Sequence, residues 1–260
     1  MFPDLFSVTG KTALITGGTS GIGLMIAEGY LRAGARVYIS SRKAEGCRRA
    51  QEYLSDFGEV HAIAADISKE EQCRELIDGV TARESALHIL VNNAGATWGA
   101  PFDEFPGVAF DKVLTLNVKA PFLLTQLARP LLEAASVADD PARVINIGSI
   151  DGLVVPRLGT FSYSASKAAL HQLTRHLALE LAPTVLCNAI APGPFPSKMM
   201  AATMAAAGDR MAAGTPVGRV GRLEDVAGAA IYLASRATNF MTGAILALDG
   251  GLSTTAGVNL

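Results

Sequence analysis

The chain has 260 residues, half of them hydrophobic, and a formal charge of −2. That length suits one large α/β domain with a substantial core, and the balanced charge, without a basic block, argues against a nucleic-acid partner. No stretch is long and apolar enough to span a bilayer, and Met1 to Gly10 lacks the basic-then-apolar pattern of a signal peptide, so a cytoplasmic protein with no membrane attachment is expected.

Apolar runs of strand length alternate with longer helical patterns. Lys11–Thr16 is the first strand, followed by a helix from about Gly21 to Ala33. Arg36–Ser40 is the second, then a helix through about Phe57. Val60–Ala64 is the third, then a charged helix across Lys69–Glu84. Leu87–Asn92 is the fourth, and one long helix is expected over Phe110–Ala134. Ser136–Ala142, with Asp139, Asp140 and Pro141, reads as a surface loop. Arg143–Gly148 is the fifth strand, and a helix carrying Tyr163 runs to about Leu181. Val185–Ile190 is the sixth and Ile245–Leu248 the last. Strands alternating with helical crossovers imply a single doubly wound domain over 1–260, built on a central seven-stranded parallel sheet. The runs are continuously apolar, as in strands covered on both faces. Residues 194–217 follow a strand's carboxyl end and are placed to cover a ligand.

Cys47, Cys73 and Cys187 are odd in number and far apart, which fits reduced thiols rather than a disulfide framework. His61, His88, His171 and His176 have no metal-ligand spacing, and no metal is expected.

Thr16-Gly17-Gly18-Thr19-Ser20-Gly21-Ile22-Gly23 joins the first strand to the first helix. Gly17 permits the tight turn, Gly21 lets the backbone approach a pyrophosphate, and Gly23 permits close helix packing. The helix N-terminus offers free N–H groups to the anion. A carboxylate after the second strand would accept from the ribose hydroxyls of NAD. The chain has Ser41-Arg42 there instead, and both can hold a 2′-phosphate. NADP(H) is therefore expected over NAD(H), the alternative being that Arg42 is simply a solvated charge. Glu45, the nearest acid, falls inside the next helix.

Tyr163 and Lys167 are four residues apart on one helix, hence on one face. An ammonium beside a phenol favours the phenolate, so a lowered tyrosine pKa and a proton donor working near neutral pH are expected.

Taken together, these motifs resemble the short-chain dehydrogenase/reductase family over nearly the whole chain. The residues that carry the resemblance are Thr16-Gly17 with Gly21-Ile22-Gly23; Asp66; Asn92-Asn93-Ala94-Gly95; Asn117; Ser149; Tyr163 with Lys167; and Pro192-Gly193. The resemblance implies catalysis by Asn117, Ser149, Tyr163 and Lys167. Ser149 and Tyr163 would bind the ketone oxygen. Lys167 would stabilise the phenolate and hold the nicotinamide ribose. Asn117 would bend its helix and hold a water linked to Lys167. It also implies cofactor contacts at Thr19, Ser20, Asp66, Ile67, Asn93, Ala94, Gly95, Pro192, Gly193, Phe195 and Ser197. Asp66 would bind the adenine amino group, its alternative role being to cap the helix near Lys69. Two departures stand out. Ser197 occupies the position of the family's threonine, and the entry to the sixth strand, Pro183-Thr184-Val185, is about one residue short of the family pattern.

Within the family the chain resembles reductases of 3-oxoacyl thioesters, in particular the rhamnolipid-associated type, on Gly95-Ala96-Thr97-Trp98-Gly99, Ala142 to Ser149, Ser166 to Leu173 and Ala191 to Ser197. The implied reaction is NADPH-dependent reduction of a 3-oxoacyl thioester or related β-keto compound. A polyol, sugar-acid or steroid alcohol dehydrogenase is the alternative. A catalytically silent nucleotide sensor is another, from a different class. Trp98, Leu153, Val154, Val155, Phe195, Met199, Met200, Met204 and Met211 are candidates to meet the small-molecule carbonyl or alcohol substrate. Family members are usually homotetramers built through the long helices flanking the fifth strand.

Overall fold

Continuous apolar runs, buried on both faces, build the centre of the molecule. The computed structural model describes residues 3–156, 158–197 and 211–255. Its strands are β1 (Thr12–Thr16), β2 (Arg36–Ser41), β3 (Val60–Ala64), β4 (Ile89–Asn92), β5 (Ala142–Ile147), β6 (Val185–Pro192) and β7 (Ile245–Leu248). They form one sheet in the order β3-β2-β1-β4-β5-β6-β7, and every neighbouring pair is parallel. Every residue of β1, β4, β5 and β6 is buried. This is why these strands read as unbroken apolar runs rather than alternating ones.

Among the described residues, seven helices of eight or more residues connect and cover the strands: α1 (Gly21–Arg32), α2 (Ala44–Leu54), α3 (Glu70–Thr81), α4 (Gly107–Leu114), α5 (Ala120–Ala135), α6 (Phe161–Leu181) and α7 (Leu223–Ala234). α1, α2 and α7 pack on one face around Ile15, Ile26 and Val226. α3, α5 and α6 pack on the other around Leu14, Leu90 and Val144. α1 and α7 approach so closely that a Cβ on Gly29 would lie 2.4 Å from the Ala227 Cβ. The chain winds outward from β1 in one direction and from β4 in the other. The crevice at the carboxyl ends of β1 and β4 is therefore the switch point where such sheets bind ligands.

The long helix expected over Phe110–Ala134 is divided. α4 ends at Leu114, one π-helical turn spans Thr115–Lys119, and α5 begins at Ala120. α7 is an element that sequence reasoning did not find, although Leu223, Val226, Ala227, Ala230 and Leu233 recur at helical spacing. Of the expected covering segment, 194–197 and 211–217 are described. Met199, Met200 and Met204 lie outside the described residues. All three cysteines are buried and unpaired. Among the described residues, no helix is long and apolar enough to cross a membrane and no cluster could hold a metal ion.

Candidate active site

The glycine segment turns at the end of β1 through two left-handed residues, Gly17 at φ +66° and Gly21 at φ +56°. The absence of side chains is required here. A Cβ on Gly23 would lie 2.4 Å from Asn93 Nδ2 and 2.5 Å from the Gly17 carbonyl oxygen. A Cβ on Gly21 would lie 2.9 Å from the Ser197 Cβ, so the segment after β6 closes over the loop. Ser20 precedes α1 without making a side-chain cap, and the first N–H groups of a helix have no partner within it. Thr19, Ser20, Gly21 and Ile22 are all partly accessible there.

β4 braces this loop. Asn93 Nδ2 donates to the Thr16 and Gly17 carbonyls at 2.9 and 3.3 Å, and the Asn93 and Ala94 N–H groups both donate to Thr16 Oγ1. Asn93 was expected to line a ribose, but its amide group is committed to the loop. Ser41 ends β2 and exposed Arg42 follows it, making no hydrogen bond or ion pair among the described residues. Glu45 lies in the first turn of α2 and pairs with Arg48 at 2.9 Å. Asp66 Oδ1 accepts from the Ser68 N–H and hydroxyl, which hold the carboxyl below its usual range. It shapes the turn before α3 without capping the helix directly. Ile67 is buried in the core beside it.

On the other side of the crevice, β5 and α6 bring Ser149, Tyr163 and Lys167 together. Lys167 is buried and Nζ donates to the Ile147 carbonyl at 2.7 Å, with the Tyr163 ring centroid 5.5 Å away. Ser149 is buried just beyond β5, and its Oγ accepts from the Asp151 N–H at 3.1 Å. Asn117 sits in the π-helical turn and is buried. Its Oδ1 accepts from Ala96 N–H at 2.8 Å, while Nδ2 donates to the Ala96 carbonyl and to Ser166 Oγ, both at 2.9 Å. Gly95 bridges the two halves of the crevice: a Cβ there would lie 3.2 Å from Asn117 Oδ1 and 3.8 Å from Lys167 Nζ.

The expected lowering of the tyrosine pKa is corrected by the structure. Burial pushes the Tyr163 phenol up to about 12, against the pull of the adjacent Ser149 hydroxyl, and the Asp151 carboxylate adds to the rise. The same burial brings Lys167 down to about 8, with Asp151 acting the other way. Desolvation penalises both charged forms, and it outweighs the pairing that i,i+4 spacing suggests. Phe195 is also corrected as a candidate for substrate contact. Its side chain is buried in the core, where its ring fills the space in which a Gly221 Cβ would lie. Pro192 and Gly193 lie at the end of β6, with Gly193 pressed against Asp249.

A family model of the short-chain alcohol dehydrogenase type, described as enoyl-(acyl carrier protein) reductase, matches residues 17–253. The chain belongs to the short-chain dehydrogenase/reductase family. It is 46% identical over 252 residues to the rhamnolipids biosynthesis 3-oxoacyl-[acyl-carrier-protein] reductase of Pseudomonas aeruginosa, covering 95% of this chain and 97% of that one. It is 36% identical over 259 residues to the gluconate 5-dehydrogenase of Gluconobacter oxydans, covering 96% and 98%. The solved structure described as the Pseudomonas aeruginosa RhlG/NADP active-site complex superposes with a TM-score of 0.92 at 45% identity, covering 96% of this chain and 99% of that one.

In this short-chain dehydrogenase/reductase, several residues around the crevice escaped sequence reasoning. Gly18 faces Ile39 so closely that a Cβ would lie 2.7 Å from its Cγ2. Ser166 links Asn117 to the helix by donating to the Tyr163 carbonyl at 2.7 Å. Gly152 lets the turn after Ser149 rest on α6, where a Cβ would lie 2.7 Å from the Lys167 carbonyl carbon. The glycines were visible as residue types, but their partners lie 15 and 21 positions away in sequence, beyond any local pattern. His171, one of the histidines without metal-ligand spacing, is buried with neither ring nitrogen hydrogen-bonded among the described residues, and its pKa is down at about 4 because of burial and nearby Lys167.

Proposed function

We propose that this oxidoreductase is an NADPH-dependent ketone reductase acting on a 3-oxoacyl thioester or related β-keto compound. One observation carries the reading: a protonated phenol, a hydroxyl and a buried ammonium converge at the switch-point crevice beside a loop whose glycines leave no room for side chains. That loop, with its unpartnered helix N–H groups, fits a dinucleotide. The residues that would hold it are Gly17, Thr19, Ser20, Gly21, Ile22 and Gly23 at the phosphates. Ser41 and Arg42 would hold the 2′-phosphate, and Asp66 and Ile67 the adenine. Ala94, Gly95 and the backbone of Asn93 would line the ribose, with Pro192, Gly193, Ser197 and the backbone of Phe195 at the nicotinamide.

When bound, NADPH supplies the hydride. Tyr163 donates a hydrogen bond to the ketone oxygen and gives up its proton as negative charge develops there. Ser149 donates a second hydrogen bond to the same oxygen. Its contact with the Asp151 N–H uses the hydroxyl only as an acceptor, and its O–H turns from the Tyr163 phenol to the ketone oxygen when substrate is bound. Lys167 stabilises the phenolate left behind, and Asn117 fixes Ala96 and Ser166 around the pair. A phenol kept protonated by burial suits reduction, which consumes the proton, better than oxidation, which needs the phenolate already formed.

The described residues are read as one catalytic domain, with 194–197 and 211–217 flanking the substrate side of the crevice; 198–210 lie outside the described residues. The substrate class is supported by the 46% identity to a 3-oxoacyl-[acyl-carrier-protein] reductase and by exposed Trp98, Leu153 and Val154 near the catalytic turn. A homotetramer is supported by exposed Val108, Phe122 and Leu179 on the α4–α6 side. A monomer mass by light scattering would contradict it.

The test is a screen of acetoacetyl-CoA, longer β-ketoacyl thioesters, simple ketones, sugars and polyols with both cofactors. Turnover is expected on the thioesters with NADPH. Activity confined to sugars or polyols would reject the substrate class. Arg42→Ala is expected to cut the preference for NADPH over NADH about tenfold, as loss of one charge-assisted phosphate contact. An unchanged ratio of kcat/KM values would remove Arg42 from cofactor choice.

The pH dependence follows from Lys167. Its ammonium is present below its pKa of about 8 and is lost as pH rises through that value. The kcat/KM for ketone reduction is therefore expected to fall on the alkaline side of about pH 8, because the phenolate loses its stabilising charge. A profile that stays flat to about pH 10, across that whole range, would contradict this role.

A further inference from the structure

Beside Tyr163 and Lys167, the catalytic cluster contains a third ionisable group that the mechanism above does not use. Asp151 lies two residues after Ser149, on the 3-10 turn Ile150–Gly152. Its N–H is bonded to Ser149 Oγ at 3.1 Å, which fixes its backbone to a catalytic hydroxyl. The turn rests directly on α6 through Gly152, where a Cβ would lie 2.7 Å from the Lys167 carbonyl carbon and 2.8 Å from the Ala168 nitrogen. The Asp151 charge acts on both Tyr163 and Lys167, so the carboxylate lies within electrostatic range of each.

That carboxylate makes no hydrogen bond and no ion pair among the described residues, and its oxygens are not sealed from solvent. It caps nothing and braces nothing. The carboxylate is half-buried, and Lys167 favours its charge without bonding it directly. The charged and titratable groups coupled to it among the described residues are Tyr163 and Lys167 on α6, with the Ser149 hydroxyl bonded to its backbone N–H. His171, beyond Lys167, is held neutral, and Cys187 on β6 is buried with its thiol pushed up.

We propose that Asp151 is a specificity-determining residue. Its carboxylate repels substrates that carry a negative charge within a few bonds of the reacting ketone, and so selects neutral β-keto esters and thioesters over free keto acids. The inference rests on the ketone-reductase reading. Like charges about 6 Å apart at an effective dielectric near 20 repel strongly enough for discrimination of tenfold or more. A thioester keeps the carbon skeleton of the keto acid and removes the charge beside the ketone.

The test uses a matched pair: acetoacetate and its N-acetylcysteamine thioester, with NADPH. The quantity read is the ratio of kcat/KM for the thioester to that for the acid. The unaltered enzyme is expected to favour the thioester. Asp151→Asn is expected to reduce the ratio about tenfold, while Asp151→Glu, which keeps the charge, preserves it. Asp151→Asn should also move the alkaline limb of thioester reduction to lower pH, because Asp151 favours the Lys167 ammonium. A residue that only shaped the turn would leave that limb in place. Burial raises the Asp151 pKa, with Lys167 opposing. In the unaltered enzyme the ratio should therefore shrink as pH is lowered and the carboxylate takes up a proton, a measurement that needs no variant to fold. Equal ratios in the unaltered enzyme and Asp151→Asn would overturn the inference while leaving the reductase reading intact. Turnover of neither substrate would overturn both.

Discussion

Tyr163→Phe lowers kcat for ketone reduction about 1000-fold, while NADPH affinity stays within about threefold of the unaltered protein. The substitution removes one hydroxyl and leaves the ring. Burial holds that hydroxyl protonated, with a pKa of about 12, so it is the group with a proton to give at neutral pH. Ser149 can still polarise the carbonyl, but its hydroxyl is a far weaker acid and has no buried ammonium to stabilise its anion. The remaining rate then comes from positioning and from the one surviving hydrogen bond. Fluorescence titration with NADPH and steady-state kinetics on a β-ketoacyl thioester measure the two quantities separately. Near-normal turnover in this variant would remove Tyr163 from the role of proton donor.

Gly23→Ala weakens NADPH binding at least about tenfold and lowers Tm by about 5 °C. The added methyl would sit 2.4 Å from Asn93 Nδ2 and 2.5 Å from the Gly17 carbonyl oxygen. Neither neighbour is free to retreat. Asn93 is bonded to Thr16 and Gly17, and the Gly17 backbone is in the left-handed turn that shapes the loop. Relief of the clash must therefore move the loop relative to α1, which spoils the alignment of the helix N–H groups for an anion. Gly228→Ala is the matched control. Nothing lies within 4 Å of its Cβ, and it sits in the interior of α7, so a gain of up to about 1 kcal/mol is expected. Thermal unfolding and cofactor titration on both variants check the pair. An equal Tm and affinity for Gly23→Ala would show that the loop is softer than its contacts imply.

Much of the sheet was legible because strands buried on both faces must be apolar throughout. The limits of that signal show at β4. Leu87 reads as strand, yet β4 begins at Ile89, because Leu87 is buried against α5 and its N–H bonds to the Leu131 carbonyl. Apolar character reports burial, not pairing. The resemblance implied a bend at Asn117, but its form as a π-helical turn was not legible from the residues themselves. Asn117 has no unusual neighbours in sequence, and its bonds reach Ala96 and Ser166, which are distant along the chain. The glycine loop and the Ser149, Tyr163 and Lys167 cluster were visible as motifs, since each needs particular residue types at fixed spacing. Their electrostatics were not. The sign of the Tyr163 shift depends on how deeply α6 is packed, and four residues of sequence say nothing about that depth. Phe195 was misjudged for the same reason, since its fate is set by Gly221 across the fold.

Hydride transfer from deuterium-labelled NADPH to an acetoacetyl thioester tests the reductase reading most directly. The expected product is the 3-hydroxybutanoyl thioester, with the label on C3 and one NADPH consumed per product. A protein that leaves this ketone untouched, and passes label only to the carbon–carbon double bond of an enoyl thioester, would contradict it.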